Sequence, residues 1–358
     1  MSAATVRGRI LRGAVLLCAV AATCGAAITP EVSAFATIPL HTDGVVLGAD
    51  GRPQAVPVGG AAQHDPARLA AQDRWLAEGS VPGPEAYAGL AEQALRDLDA
   101  LVLDNGAALA AVSGPWRYVW PRDASFTAVA LARTGHPADA WRVLAYLQTM
   151  QDRAATDGVF EARYLPDGTG EVPDGRGAQL DGNGWVLWAV AQWYAHADPG
   201  PARDRALEVL RPLVVRSVSA IDAHVDPRSG LPGVFADYWE VREAVPTLGT
   251  LAPLLLGARS SRPVLDALGE PPVDGLVRRL ENGLRQFAPG YPRRLGGATP
   301  DTAVAFLMPP FAPLEQDVRT AWEAAAPTMT RTGGGLAPGS DWRPDGVSWT
   351  PTTAVFAL

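Results

Sequence analysis

Cysteine is scarce in this chain of 358 residues: the two present, Cys18 and Cys24, both lie in the N-terminal segment. If that segment is removed, the remaining protein contains no cysteine. Disulfide bonds, zinc sites built from thiolates and cysteine nucleophiles are then excluded. The remaining domain must therefore be stabilised by its apolar core, and hydrophobic residues make up 47% of the sequence.

Charged residues are also few, at 19%, and the formal net charge is −8. This balance lacks the basic stripe that nucleic-acid binding needs, so we expect no nucleic-acid partner. Asp and Gly are abundant over residues 157–184, but the regular Asp-x-Asp spacing of a calcium loop is missing. We therefore expect no metal and no cofactor. A mildly acidic, soluble protein of this kind is suited to a neutral substrate.

The first 36 residues have the layout of an export signal. Three arginines, Arg7, Arg9 and Arg12, precede a short apolar run at 14–22, and an A-x-A motif follows at 34–36. The run is short for a transmembrane helix, although an uncleaved anchor is an alternative. A lipoprotein signal is a poor match. We expect residues 1–36 to be a signal peptide or membrane anchor, and the protein to be secreted or extracytoplasmic.

The pattern after residue 36 changes from extended to helical. Residues 37–64 contain short extended runs broken by Gly and Pro, which predict a small β-rich lead-in. From residue 65 to 358, apolar residues recur at spacings of three and four, and Pro and Gly mark helix ends. The pattern predicts helices over about 84–103, 126–133, 137–148, 185–190, 201–224, 246–258, 263–268, 273–287 and 314–326.

Paired helices with polar and aromatic residues in the intervening loops predict an all-α toroid whose site lies at one end. An α-solenoid is the alternative, but no fixed sequence period is evident. Eleven tryptophans, more than either Tyr or Phe, add to the functional pattern. Core packing explains most single tryptophans. Trp120 and Trp239, however, lie beside charged residues, as aromatic rings do in sugar-binding clefts.

The segment 237–240 (DYWE) contains the best candidate for an acid catalyst. Glycoside hydrolysis needs one carboxyl group to protonate the leaving oxygen and another to activate water or attack directly. The acid must hold a proton near the working pH, which burial or a neighbouring carboxylate favours. Glu240 is flanked by aromatic residues and is near Asp237. Taken alone, this pattern also fits a glutamate on the surface.

Four segments, in order, resemble motifs of glycoside hydrolase family 15, the glucoamylase and glucodextranase family, and more closely its bacterial members. They are 118–124 (YVWPRDA), 163–168 (RYLPDG), 179–184 (QLDGNG) and 237–240 (DYWE). The resemblance extends over about residues 80–358 and implies an (α/α)6 barrel. One position departs from the family pattern: the second acid that often follows the catalytic glutamate is Val241 here, and the next acid is Glu243.

The resemblance implies an exo-acting hydrolase that releases glucose from the non-reducing ends of α-glucans with inversion. Glu240 would be the general acid, and Arg122 and Asp123 would bind the terminal glucose. The other implied substrate contacts are Tyr118, Trp120, Gln179, Asp181, Asp237, Tyr238 and Trp239. From the residues alone, Arg122 and Asp123 could instead form an ion pair that caps the next helix, and Asp181 could be a helix N-cap. The linkage could be α-1,4, α-1,6 or that of trehalose.

The general base of an inverting enzyme is not visible in the sequence. In the family it is a glutamate that follows Leu-Pro or Ile-Pro, and no such motif occurs after residue 300. Glu315 and Glu323 are expected to face solvent. The helical pattern at 348–358 stops without a cap, which predicts that the last hairpin, with the base, is missing. Alternatively Asp341 substitutes, or the base is lost and the protein binds glucan without hydrolysis or uses phosphate in place of water.

Overall fold

The computed structural model describes residues 42–60, 65–154 and 156–358. The predicted signal segment 1–36, both cysteines and the start of the extended lead-in lie outside these residues. In the part of the chain that is described, no helix is both long and apolar enough to cross a membrane.

A small two-stranded antiparallel sheet opens the described chain and confirms the predicted β-rich lead-in. It pairs β1 (Thr42–Leu47) with β2 (Pro53–Pro57). The helices that follow are α1 (Pro66–Glu78), α2 (Ala88–Leu101), α3 (Pro121–Arg133), α4 (Pro137–Arg153), α5 (Asp181–His196), α6 (Pro201–His224), α7 (Leu248–Ser260), α8 (Arg262–Leu268), α9 (Asp274–Arg285), α10 (Gln316–Met329) and α11 (Thr350–Ala357). Short 3-10 helices occur at Glu85–Tyr87, Gly114–Trp116 and Thr302–Leu307.

The helices form two layers. The inner layer consists of α3, α5 and α7, which pack side by side, followed by the 3-10 helix Thr302–Leu307 and then α11. Most residues of α5 and α7 are buried, as is typical of a helix that is apolar on all sides. The outer helices α4, α6 and α9 pack against this layer and bury one face each. The predicted all-α toroid is confirmed.

Two glycines allow α5 and α7 to approach closely. A Cβ atom on Gly184 would lie 2.3 Å from the carbonyl oxygen of Pro253, and one on Gly257 would lie 2.3 Å from that of Gly184. Only a residue without a side chain fits where two helix backbones touch. The close contact fixes the N-terminal end of α5 against the middle and the C-terminal part of α7.

An aromatic cluster fills the centre of the inner layer. Trp185 is fully buried, and the rings of Phe126, Trp188, Phe306 and Phe311 lie with their centroids 4.8 to 6.0 Å from its own. Such tilted and edge-to-face pairs stabilise a core beyond the area that they bury. For Trp185 and Trp188, core packing is therefore the right interpretation.

Two inner helices begin earlier than the sequence pattern predicts. The pattern places the starts near residues 126 and 185, whereas α3 begins at Pro121 and α5 at Asp181. Proline suits the first helical position because its fixed φ matches a helix and its missing N–H would be unpaired there. The predicted loop residues Arg122, Asp123 and Asp181 therefore lie in first turns of helices. The boundaries predicted for α6, by contrast, are those observed.

Candidate active site

Acidic residues gather at one end of the inner layer because each lies at the N-terminal end of an inner helix. Asp123 is in the first turn of α3, Asp181 is the first residue of α5, and Asp301 is the N-cap of the 3-10 helix Thr302–Leu307. The segment that contains Glu240 leads into α7. Helix N-termini favour negative charge, since unpaired N–H groups point outward there.

Arg122 joins two of the predicted motifs. Its Nη1 donates to Oδ2 of Asp181 at 2.8 Å and lies 3.4 Å from Oε1 of Gln179, whereas its Nε is 3.9 Å from Asp123. The shorter ion pair of Arg122 is thus with Asp181, and the longer one, with Asp123, lies within the first turn of α3. The alternative that Asp181 is an N-cap is wrong, because Leu180 occupies that position and caps nothing.

Asp123 and Asp181 differ in their access to a ligand. The side chain of Asp181 is 1% exposed, while that of Asp123 is 39% exposed and has Arg122 as its only charged partner among the described residues. Burial raises the pKa of both carboxyl groups, and the charge of Arg122 opposes that effect in each. Asp123 is therefore available to accept a hydrogen bond from a ligand hydroxyl, and Asp181 orients Arg122.

Glu240 lies at the end of a tight turn. Its backbone N–H donates to the carbonyl of Asp237 at 2.8 Å, and its φ is 56°, in the left-handed region that residues other than glycine rarely adopt. The indole N–H of Trp120 donates to Oε1 at 2.5 Å, and Arg176 forms an ion pair with Oε2. The side chain is 11% exposed. The structure thus unites Trp120 and Glu240, which are 120 residues apart.

Several other predicted substrate contacts are engaged within the protein. Asp237 is fully buried, and Arg293 binds both of its carboxylate oxygens at 2.7 and 2.9 Å. The hydroxyl of Tyr238 donates to Asp301 at 2.5 Å, and burial raises the pKa of Tyr238 well above its ordinary value. Trp239 is buried under Arg293. In the structure these three residues hold the site together, and their role as substrate contacts stays a prediction.

Gln179 and Tyr118, two further predicted substrate contacts, also interact with residues of the site. Gln179 is buried, and its Nε2 donates to the carbonyl of Asp237 at 3.3 Å. Tyr118 is half-buried, and the guanidinium of Arg163 lies 4.3 Å from its ring and 5.0 Å from that of Trp120. Gln179 therefore contacts the segment 237–240, which contains Glu240. Tyr118 shares the guanidinium of Arg163 with Trp120, in the segment that contains Arg122.

A cleft of about 1010 Å³ opens beside Glu240. It is lined by the loop around Arg176 and by the segment 234–236, together with Glu240, Arg242 and Glu243. Arg122 and Asp123 are not part of this lining. Glu240 therefore borders the cleft on one side and, through Trp120, contacts the segment that carries Arg122 and Asp123 on the other. Arg176 was not predicted, because no local sequence signal marks it.

The candidates for a base lie apart from this arrangement. Oδ2 of Asp341 pairs with Nη1 of Arg294 at 3.2 Å, and Asp341 is not among the residues that line the cleft. Its role as a base stays a prediction. Glu315 and Glu323 are exposed, as predicted. No group of three metal-ligating side chains occurs within residues 42–60, 65–154 and 156–358.

Comparison with known proteins shows similarity in three dimensions only. No family model matches the chain, and no curated protein matches its sequence. A solved wild-type glycosidase superposes with a TM-score of 0.59 at 20% identity, over 82% of this chain and 79% of its own. A glycosidase variant in complex with glucose gives the same values. The fold is that of a glycosidase. Membership of glycoside hydrolase family 15 stays a prediction, because the likeness supports only the six-hairpin fold.

Proposed function

We propose that this protein is an exo-acting α-glucoside hydrolase that releases glucose from non-reducing ends of α-glucans, with Glu240 as its general acid. One observation carries the proposal: the Glu240 carboxylate, 11% exposed, lies at the wall of a large cleft and is held by Trp120, which precedes Arg122 by two residues. The glycosidase-like fold, which has been solved with glucose in a similar protein, supports a sugar substrate.

The terminal glucose would lie between Asp123 and Glu240, and the leaving group would extend into the cleft. Asp123 can accept hydrogen bonds from hydroxyl groups, and Arg122, which Asp181 orients, can donate them. Attack at a chain end is what the resemblance of the motif at 118–124 to that of family 15 implies. Glu240 would then protonate the oxygen of the bond between glucose and leaving group.

Arg176 must leave Glu240 before proton transfer. A guanidinium in contact with a carboxylate favours the charged form, whereas a general acid must carry a proton. Nε of Arg176 already contacts Oδ2 of Asp174 at 2.9 Å, so this carboxylate offers a second partner. Gly175 and Gly177 flank Arg176, and a Cβ atom on either would meet no atom within 4 Å. The loop therefore has room to withdraw when substrate binds.

The test is hydrolysis of maltose, isomaltose, dextran and trehalose, with NMR of the newly formed anomer. We expect β-glucose from one or more of them, as inversion requires. Glu240→Gln should lower kcat by a factor of about 10² to 10⁴, the usual contribution of general acid catalysis. Glu323→Gln, an exposed glutamate of α10, is the matched control and should leave kcat unchanged. Full activity of the Glu240 variant would remove this residue from the mechanism.

A non-hydrolytic glucan-binding protein is the second candidate. The other two carboxylates that line the cleft are engaged with arginines: Asp174 pairs with Arg163, and Glu243 pairs with Arg294 at 2.7 Å. Neither is free to activate water. Binding of maltooligosaccharides in a calorimeter without any release of glucose would favour this function. Release of glucose 1-phosphate on addition of phosphate would favour a phosphorylase. The variant Asp341→Asn tests whether Asp341 acts as the base in place of the missing glutamate.

We also propose that the protein is exported. The proposal is supported by the basic, apolar and small-residue order of residues 1–36. Mass spectrometry of protein from the culture medium and from membranes tests it. Loss of about the first 36 residues would support a cleaved signal, an intact chain in the membrane fraction would support an anchor, and an intact chain in the cytoplasm would contradict both.

A further inference from the structure

We propose that Arg293 is a positioning residue for Glu240, because it fixes the turn from which the acid projects. This inference rests on the function proposed above. Arg293 lies in the loop between α9 and the 3-10 helix Thr302–Leu307, 56 residues from Asp237 along the chain. Its side chain has no accessible surface, so it acts through other residues and not by contact with substrate.

Arg293 contacts two of the four residues in the segment 237–240, Asp237 and Trp239. Its Nη1 and Nη2 donate to Oδ2 and Oδ1 of Asp237 at 2.7 and 2.9 Å, in the two-pronged geometry that the planar guanidinium allows. Its central carbon lies 3.7 Å from the ring centroid of Trp239, on the face of the indole. The carboxylate and the neighbouring ring are therefore both held by one side chain.

Asp237 passes this restraint on to Glu240. Its Oδ1 accepts the N–H of Trp239 at 3.0 Å, and its carbonyl accepts the N–H of Glu240 at 2.8 Å. The turn ends with Glu240 in the left-handed region, at φ 56°. A glutamate keeps such a conformation only where its surroundings impose it. In this conformation its carboxylate meets the indole N–H of Trp120.

Loss of the contacts between Arg293 and the segment 237–240 would let Glu240 return to a negative φ. Its carboxylate would then move away from Trp120. The charge of Arg293 also balances two other carboxylates, because Glu243 pairs with it and Asp301 lies 3.6 Å away. A variant without a cation would leave the buried carboxylates of Asp237 and Asp301 without their charged partner, and such a variant could fail to fold. The informative change is therefore Arg293→Lys, which keeps the charge but cannot bind both oxygens of Asp237.

The kinetic test compares two substrates, maltose and α-glucosyl fluoride, in the full-length protein. Fluoride leaves without a proton, so its hydrolysis does not depend on a general acid. We expect Arg293→Lys to lower kcat on maltose by a factor of about 10² with little change in KM, as a misplaced catalytic group does. The loss on α-glucosyl fluoride should be at least tenfold smaller. An equal loss on both substrates would show a merely structural role and overturn the proposal.

Two further variants complete the test. Arg259→Lys, whose ion pair with Glu281 lies on the surface, should change neither substrate's rate. If Arg293→Lys does not fold, Asp237→Asn weakens the same ion pair by changing its other member. It should give the same loss of kcat, larger on maltose than on α-glucosyl fluoride.

A crystal structure of Arg293→Lys separates this proposal from the proposed function. Movement of the Glu240 carboxylate away from Trp120 would support the role of Arg293, even in a protein that proved to be inactive. An unchanged φ at Glu240 and an unchanged contact with Trp120 would overturn that role, whatever the activity of the wild type.

Discussion

Asp301 gives a quantitative prediction, because its carboxyl group is buried without enough positive charge to balance it. The side chain has no accessible surface, and its Oδ1 accepts hydrogen bonds from the hydroxyl of Tyr238 and the N–H of Ala303. Burial raises its pKa from an ordinary 3.8 to about 7; Arg293 opposes the rise, and Asp237 adds to it. We predict that Asp301→Asn changes how stability depends on pH.

The sign follows from proton binding. The folded protein holds this proton more tightly than the unfolded chain does, so the stabilisation is complete below pH 3.8 and is lost as the pH rises to about 7. The interval between the two pKa values of Asp301, 3.8 and about 7, corresponds to roughly 4 kcal/mol in the free energy of unfolding. For a domain of about 300 residues, the usual entropy of unfolding converts this into about 6 °C of Tm.

The assay is thermal unfolding at pH 4.5 and pH 7.5. Asparagine keeps an acceptor oxygen for Tyr238 but cannot ionise, so the other titrating groups cancel in the comparison with wild type. We expect the Tm of Asp301→Asn, relative to wild type, to rise by about 5 °C between the two pH values. Asp266→Asn, an exposed carboxylate, should show no such rise. A constant difference between wild type and Asp301→Asn would refute the reasoning.

Three further predictions follow from the site and its scaffold. Asp123→Asn should lower kcat/KM on maltose by a factor of about 10 to 100, the worth of a charged hydrogen bond, at unchanged Tm; an unchanged kcat/KM would exclude contact with the sugar. Arg176→Gln frees Glu240 from its ion pair, so the pH–rate profile should extend to higher pH, and an unaltered profile would count against the withdrawal of Arg176. Gly184→Ala places a Cβ 2.3 Å from the carbonyl of Pro253, so Tm should fall by several degrees in calorimetry; an unchanged Tm would show that α5 and α7 separate freely.

The helices were predictable because their signals are local. Apolar spacing and flanking Pro and Gly placed α6 correctly, and the resemblance to the family motifs assigned Glu240 and Trp120, which are in contact, to one site. The 3-10 helix Thr302–Leu307 was missed, since a threonine followed by five apolar residues shows no helical period. The first turns of α3 and α5 were missed because their residues, Pro121 and Asp181 among them, also fit loops.

Two arginines of the site, Arg176 and Arg293, could not be predicted from sequence. Arg176 and Arg293 meet their carboxylates only in the folded chain, 56 residues apart in the case of Arg293 and Asp237, and neither lies in a distinctive pattern. This explains why Asp237 was predicted to contact substrate. Asp237 lies in a segment that resembles a sugar-binding motif. In the structure, however, both of its carboxylate oxygens accept hydrogen bonds from the buried Arg293, which no sequence pattern indicated.

The most direct test of Glu240 as the acid is the rate of Glu240→Gln on two substrates with different leaving groups. Maltose needs a proton on its leaving oxygen, and α-glucosyl fluoride does not. We predict that the variant loses maltose hydrolysis by a factor of about 10² or more while it keeps most of its activity on the fluoride. Equal losses on both substrates, or no loss on maltose, would contradict the assignment of Glu240.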